Sequence, residues 1–263
     1  MEYKVMNFDE RENIAWITFN RPDAMNAINK RSIEEFYDIV NRCSTDKTIR
    51  AVVLTGSGDR AFCAGGDVAE FAETGEKLEM LVREMTGLLH TGISRLAWLR
   101  APVIAAVNGV AAGAGLSFAA CCDLAIAADH ARFTSAYTQI GLTPDGSSTF
   151  FLTRLLGRRR VMEMYLTNRV LSAQEALDWG LVNRVVPAER VLPAALELAA
   201  RIAENGPLGV ATTKFLMRST VMRGIEATQP LLAAELDRVF KSEDAAEGAR
   251  AFAEKRTPQW RGR

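Results

Sequence analysis

Two glycine-rich turns hold the residues of this chain best suited to chemistry. Ala61-Phe62-Cys63-Ala64-Gly65-Gly66-Asp67 follows the apolar run Ala51-Val52-Val53-Leu54-Thr55-Gly56 after a few residues. Asn108-Gly109-Val110-Ala111-Ala112-Gly113-Ala114-Gly115 follows the run Pro102–Val107 directly. Small residues let a ligand approach the main chain, and the start of a helix leaves N–H groups without intrahelical acceptors. Two such turns converging on one point supply paired N–H donors, the arrangement that stabilises an oxyanion. The competing reading is that both are merely tight strand-to-helix turns. Few titratable residues lie in comparable settings: Asp67 after the first turn, Asp145 in Gly141-Leu142-Thr143-Pro144-Asp145-Gly146, and the histidines His90 and His130. Asp67 reads first as the cap of the next helix. Asp145 combines two readings, a catalytic carboxylate and the cap of the helix that continues through Phe150, because Pro-Asp-Gly is ordinary turn sequence.

Composition narrows the classes. The 263 residues are 48% hydrophobic and 24% charged, which permits a sizeable core and argues against disorder. Lysine plus arginine number 32 and aspartate plus glutamate 32, so the balanced charge speaks against a nucleic-acid partner. Arg158-Arg159-Arg160 reads first as a solvated helix face, with a phosphate contact as the alternative. No apolar run is long enough to span a bilayer, and Met1-Glu2-Tyr3-Lys4 lacks the layout of a signal peptide. Cys43, Cys63, Cys121 and Cys122 show no zinc-like spacing and read as reduced, mostly core residues of a cytoplasmic protein. With two histidines in all, no metal is expected.

The elements that must position these residues follow from periodicity. Strand patterns fall at Ile14–Phe19, Ala51–Leu54, Val103–Val107, Leu124–Ala127 and Leu181–Val186, with helical patterns between them. Ser32 with Glu35, and Ser172 with Glu175, have the spacing of capping boxes. A long helix is expected from about Glu76 to Leu99, with His90 at the edge of its apolar stripe. Ala114–Cys122 is apolar nearly all round and should be buried. Met85, Phe71 and Phe151 suit either the core or the lining of a pocket, and His130 suits an exposed loop. After Pro187 the pattern is wholly helical: Ala188–Glu204, Leu208–Thr220, Ile225–Ser242 and Ala245–Glu254. The expected architecture is therefore α/β over residues 1–190 and a helical region over 191–263 that covers the site or a neighbouring subunit.

Several segments resemble the enoyl-CoA hydratase/isomerase (crotonase) superfamily. They are Arg21-Pro22-Asp23-Ala24-Met25-Asn26-Ala27, the 61–67 turn, Ala105–Gly115, Leu171-Ser172-Ala173-Gln174-Glu175-Ala176, Trp179–Val186 and Ala251-Phe252-Ala253-Glu254-Lys255-Arg256. The resemblance implies a spiral of ββα units with a C-terminal helical extension, a homotrimer or dimer of trimers, and an acyl-CoA thioester as substrate. It implies no cofactor besides the coenzyme A of that substrate. The backbone N–H groups of Gly66 and Ala114 would hold the thioester oxygen; losing one such donor costs about 3 kcal/mol in a barrier. Coenzyme A would lie against Ala24, Met25, Ala64 and Gly65, with Phe252 and Lys255 reaching it from a neighbouring subunit.

The chain also departs from the family's hydratase pattern. Ser117 and Tyr137 stand where a hydratase carries its two glutamates, and neither is a base near neutral pH. Ser117 reads first as a packed residue, with a substrate-sensing role as the alternative. Asp145 stands where isomerase-like and dehalogenase-like relatives place a catalytic carboxylate. The leading expectation is double-bond isomerisation with Asp145 as base. The alternative resembles 4-chlorobenzoyl-CoA dehalogenase: Asp145 attacks an aryl-CoA, His90 activates water and Tyr137 replaces an active-site tryptophan. Two further readings are a serine hydrolase using Ser117, whose surroundings miss the nucleophile-elbow pattern, and a non-catalytic acyl-CoA binder.

Overall fold

The computed structural model describes residues 2–221 and 223–263. In chain order the first half runs β1 (Met6–Arg11), β2 (Ile14–Phe19), α1 (Lys30–Thr45), β3 (Ala51–Gly56), β4 (Ala61–Cys63), α2 (Val68–Thr74), α3 (Leu78–Trp98), β5 (Val103–Val107), β6 (Val110–Ala112), α4 (Ala114–Cys121), β7 (Leu124–Ala128) and β8 (Arg132–Thr134). Then follow α5 (Ser148–Leu156), α6 (Arg158–Thr167), β9 (Leu171–Ser172), α7 (Ala173–Trp179), β10 (Arg184–Val186), α8 (Val191–Ala203), α9 (Pro207–Thr220), α10 (Ile225–Phe240) and α11 (Glu243–Glu254). One sheet has the order β1-β2-β3-β5-β7-β10, parallel except for the β1–β2 hairpin. A smaller sheet has the order β4-β6-β8-β9, with β4, β6 and β8 parallel. After the β1–β2 hairpin, the pairs β3-β4, β5-β6 and β7-β8 each add one strand to each sheet before the next helix. That is the ββα spiral, closed by C-terminal helices.

The central strands of the larger sheet are buried on both faces: β3 and β5 have no exposed residue. Such strands read as continuous apolar runs, which made them visible in the sequence. The strands of the smaller sheet are three residues or fewer, too short to show a period, and they do not stand out in the sequence. The expected strand over Leu181–Val186 narrows to Arg184–Val186 because Leu181 and Val182 close the C-terminal turn of α7 through Ala176 O. α8 packs across β3, β5 and β7 through Val191, Ala194, Ala195 and Ala199, so the cover of the larger sheet extends beyond residue 190. Among the described residues, no helix is long and apolar enough to cross a membrane.

One capping expectation is corrected. Asn29, not Ser32, caps α1, and Ser32 serves as the third helical residue of the box. Glu35 is fully buried and does different work. Its carboxylate accepts the N–H groups of Lys4, Val5 and Met6 at 3.0–3.1 Å and pairs with Arg31 at 2.5 Å, fastening the N-terminal segment to α1. Burial pushes this carboxyl up, but Arg31 and the three N–H donors outweigh it and hold the group below its ordinary value. The Ser172–Glu175 box forms as expected at the start of α7. Glu35→Ala leaves three N–H groups without their acceptor and is expected to cost about 3 kcal/mol in urea unfolding. Because the folded carboxyl is held low, the wild-type advantage is present above the ordinary carboxylate range and fades as pH falls through the folded value.

Candidate active site

The smaller sheet explains why the two glycine turns meet. β4 and β6 are parallel neighbours, so the chain leaves both at the same end, and β8 leaves beside them. A Cβ on Gly65 would stand 3.0 Å from Ala112 O and 3.5 Å from the Ala114 nitrogen. Gly65 (φ +96°) and Gly113 (φ +53°) both adopt backbone that disfavours a side chain. At Gly115 a Cβ would lie 1.9 Å from Cys63 O, so the first turn of α4 reaches the end of β4 only without a side chain.

The free donors follow from the same geometry. Ile28 N–H bonds Gly65 O and Asp67 N–H bonds Ile28 O, a bridge that leaves Gly66 N–H out of the ladder. Ala114 is the first residue of α4 and has no intrahelical acceptor. Neither N–H donates to an acceptor among the described residues. Two unpaired N–H groups on adjoining turns suit an oxygen that gains negative charge.

Around them the structure places the other predicted residues. Ala24 and Met25 form the turn beside the first glycine loop, where Ala64 N–H donates to Met25 O at 3.1 Å. Asp67 caps α2 through the Glu70 N–H and pairs with Arg21 at 2.8 Å. Burial raises its carboxyl, but the Arg21 guanidinium and the cap dominate and hold it low, which suits a structural anion better than a base. Ser117 is fully buried on α4, its hydroxyl 3.4 Å from Tyr137 Oη and donating to Asp145 O at 3.2 Å. Phe252 is 88% exposed and Lys255 ends α11; no hydrogen bond or ion pair links either to the glycine turns.

Asp145 does not cap a helix. α5 starts at Ser148 with Ser147 before it, and no side chain caps it. Asp145 Oδ1 instead accepts a 2.5 Å hydrogen bond from Tyr137 Oη. Burial pushes this carboxyl above its ordinary value, while the Tyr137 bond and the charge of His90 pull the other way. His90 is exposed on α3, within electrostatic reach of Asp145 but without a hydrogen bond to it. His130 is exposed, as expected of its loop, and its ring lies 3.1 Å from Asp59 O. The Cys63 thiol beneath the first turn is pushed up to about 12 by burial and stays protonated.

Two contributors escaped the sequence reading. Asn26 is buried, and its amide donates to Ser57 O at 2.9 Å and Ala61 O at 2.7 Å while its Oδ1 accepts Arg21 N–H, which fixes β4 to the Ala24–Met25 turn. Its position inside the Arg21–Ala27 segment was the available signal. Tyr165 on α6 is nearly buried and within electrostatic reach of Asp145; nothing in its helical pattern distinguishes it from a core residue. A cavity of about 1200 Å³ lies elsewhere, between the C-terminal end of α4 and helices α9 and α11, and none of the residues just described at the turns lines it.

Residues 9–263 match the family model for enoyl-CoA hydratase/isomerase. The chain belongs to the enoyl-CoA hydratase/isomerase family. It is 38% identical to carnitinyl-CoA dehydratase of Proteus mirabilis (strain HI4320), over 98% of each chain. It is 37% identical to 1,2-epoxyphenylacetyl-CoA isomerase of Escherichia coli (strain K12), over 96% of each. The crystal structure of enoyl-CoA hydratase from Bacillus anthracis superposes with a TM-score of 0.94 at 33% identity, covering 99% of this chain and 100% of that one. This is accordingly an acyl-CoA-processing enzyme of the enoyl-CoA hydratase/isomerase family, with the crotonase fold.

The raised Asp145 carboxyl has a measurable consequence. A group raised in the folded state favours folding below its unfolded value and loses that contribution as pH rises. Asp145→Asn is therefore expected to stabilise the protein at pH 7 by ~1 kcal/mol, the usual scale for relieving one functional-site cost. Urea unfolding at pH 7 and near pH 3 should show the gain shrinking at the lower pH.

Proposed function

We propose that this enzyme shifts a carbon–carbon double bond along an acyl-CoA, with Asp145 carrying the proton. The observation that supports this most directly is the Asp145 carboxyl, raised by burial and fixed by Tyr137, whereas Asp67 is engaged by Arg21 and the start of α2. By the resemblance, Ser117 and Tyr137 stand where the family's hydratases hold two glutamates, and neither is a carboxylate, which supports proton transfer over addition of water.

In this reading the thioester oxygen of a 3-enoyl-CoA accepts hydrogen bonds from Gly66 and Ala114. Asp145 takes a proton from C2, the C2–H electron pair enters the conjugated system, and the dienolate charge rests on the held oxygen. Asp145 then returns a proton to C4, leaving the double bond between C2 and C3 and the carboxylate restored. A carboxyl raised towards neutrality is a better match to a weakly acidic carbon than an ordinary one. Coenzyme A rests on the backbone of Ala24, Met25, Ala64 and Gly65, with Phe252 and Lys255 supplied by a neighbouring copy. The exposed Leu232, Leu236, Phe240 and Phe252 of α10 and α11 support association of copies into a trimer or dimer of trimers.

A second reading rests on His90, whose charge reaches Asp145 from α3. Asp145 would then attack an aryl-CoA bearing a leaving group, and His90 would activate water to hydrolyse the resulting ester. A 3-enoyl-CoA incubated in deuterium oxide separates the two. The expected product is a 2-enoyl-CoA carrying deuterium at C4, and Asp145→Asn is expected to slow its formation by about 10²- to 10⁴-fold. No shift and no exchange would remove the isomerase reading. Chloride release from 4-chlorobenzoyl-CoA would then favour the second, and silence in both assays a non-catalytic acyl-CoA binder.

A further inference from the structure

The hydroxyl of Tyr137 has no acid–base use at neutral pH, because burial first and the Asp145 charge second push it above its ordinary value. Yet it makes the one side-chain hydrogen bond to the Asp145 carboxyl among the described residues, at 2.5 Å on Oδ1. The ring is held in turn. Tyr137 is 7% exposed, its Cζ lies 3.8 Å from where a Gly113 Cβ would stand, and Ser117 Oγ is 3.4 Å from its hydroxyl. The carboxylate-bearing loop is fixed from below as well. Ser117 Oγ donates to Asp145 O at 3.2 Å, and Ser148 Oγ donates to the same carbonyl at 2.8 Å. A Cβ on Gly146 would collide with Ser117 Cβ at 2.7 Å, so the loop sits directly on α4. The loop backbone and one carboxylate oxygen are thus fastened.

We propose that Tyr137 is a positioning residue of the reaction: by engaging Oδ1 of Asp145 it aims Oδ2 at the substrate carbon chain and favours the ionised base. This rests on the reading of Asp145 as the proton carrier. It assigns Tyr137 no contact with the reacting atoms. Among the described residues, Tyr137 contacts the Asp145 carboxyl, and His90 on α3, Tyr165 on α6 and Cys63 at the end of β4 lie within electrostatic reach of it. His90 when protonated also favours the carboxylate, whereas the two remaining groups stay neutral near pH 7 and leave the balance to burial, His90 and the Tyr137 bond.

Removing the bond therefore has a definite sign. A donor to the carboxylate stabilises its charged form, so Tyr137→Phe moves the Asp145 titration to higher pH. The acid limb of the kcat/KM profile moves up with it, since the base must be ionised to act. With the carboxyl free to turn, kcat is expected to fall by about 10- to 100-fold while KM stays within about twofold, a split that a wall residue would not produce. The Asp145 carboxyl is followed directly by carbon-13 NMR of aspartate-labelled protein, its resonance assigned by its loss in Asp145→Asn.

The two readings fail separately. Isomerisation that survives Asp145→Asn removes Asp145 as the base, while the NMR titration of Tyr137→Phe still reports on the hydrogen bond. If Asp145→Asn is inactive but Tyr137→Phe leaves either the Asp145 titration or kcat at the wild-type value, the base stands and the positioning role of Tyr137 is overturned. An upward titration with a matching fall in kcat supports it.

Discussion

The site depends on how closely α4 can approach the end of β4. A side chain at Gly115 would overlap the Cys63 carbonyl, 1.9 Å away, so the approach exists only because that residue has none. The same contact brings Ala114, the first residue of α4, against the turn that holds Gly66. Backbone N–H groups cost nothing to orient once the helix and strand are fixed, which makes them well suited to a developing charge. Because these N–H groups belong to the main chain, alanine at position 114 presents one as readily as glycine would.

The surrounding polar groups maintain that approach rather than perform chemistry. Asn26 ties the Ala24–Met25 turn to Ser57 and Ala61, and Arg21 ties the same turn to Asp67. Both lie on the segment that leads from β2 to α1, far in sequence from β6 and α4. A buried amide with all its contacts made is costly to disturb, so this corner is rigid by hydrogen bonding as much as by packing. Asp67 is thereby committed to structure. Asp145 is held differently: its carboxyl is raised by burial and engaged by Tyr137. Burial raises this carboxyl, while the single donor on Oδ1 pulls the other way and fixes that oxygen.

Much of the architecture was legible along the chain. β3, β5 and β7 are buried on both faces and wrote themselves as apolar runs, and α4 was marked as buried by having no polar face. The Ser172–Glu175 box and the four C-terminal helices also showed in local pattern alone. The failures share a cause. Ser32 and Glu35 have the spacing of a capping box, but Asn29 stood nearer the true start, and Glu35 was drawn away by the N–H groups of Lys4, Val5 and Met6. Those partners are about thirty residues distant, beyond any local signal.

The candidate site divides in the same way. The sequence by itself determined the two glycine turns, the small residues that let the backbone be approached, and the absence of glutamate at positions 117 and 137, because these are properties of residue identity. Only the tertiary structure decided that the turns adjoin, since β4, β6 and β8 are three-residue strands with no period, and their pairing is a long-range choice. It also removed the capping reading of Asp145. Pro-Asp-Gly fits a helix cap or a free carboxyl equally well in sequence, and the choice was made by Tyr137, delivered from the end of β8 to within 2.5 Å. A hydrogen bond of that kind depends on where two loops leave a sheet, which only the folded chain fixes.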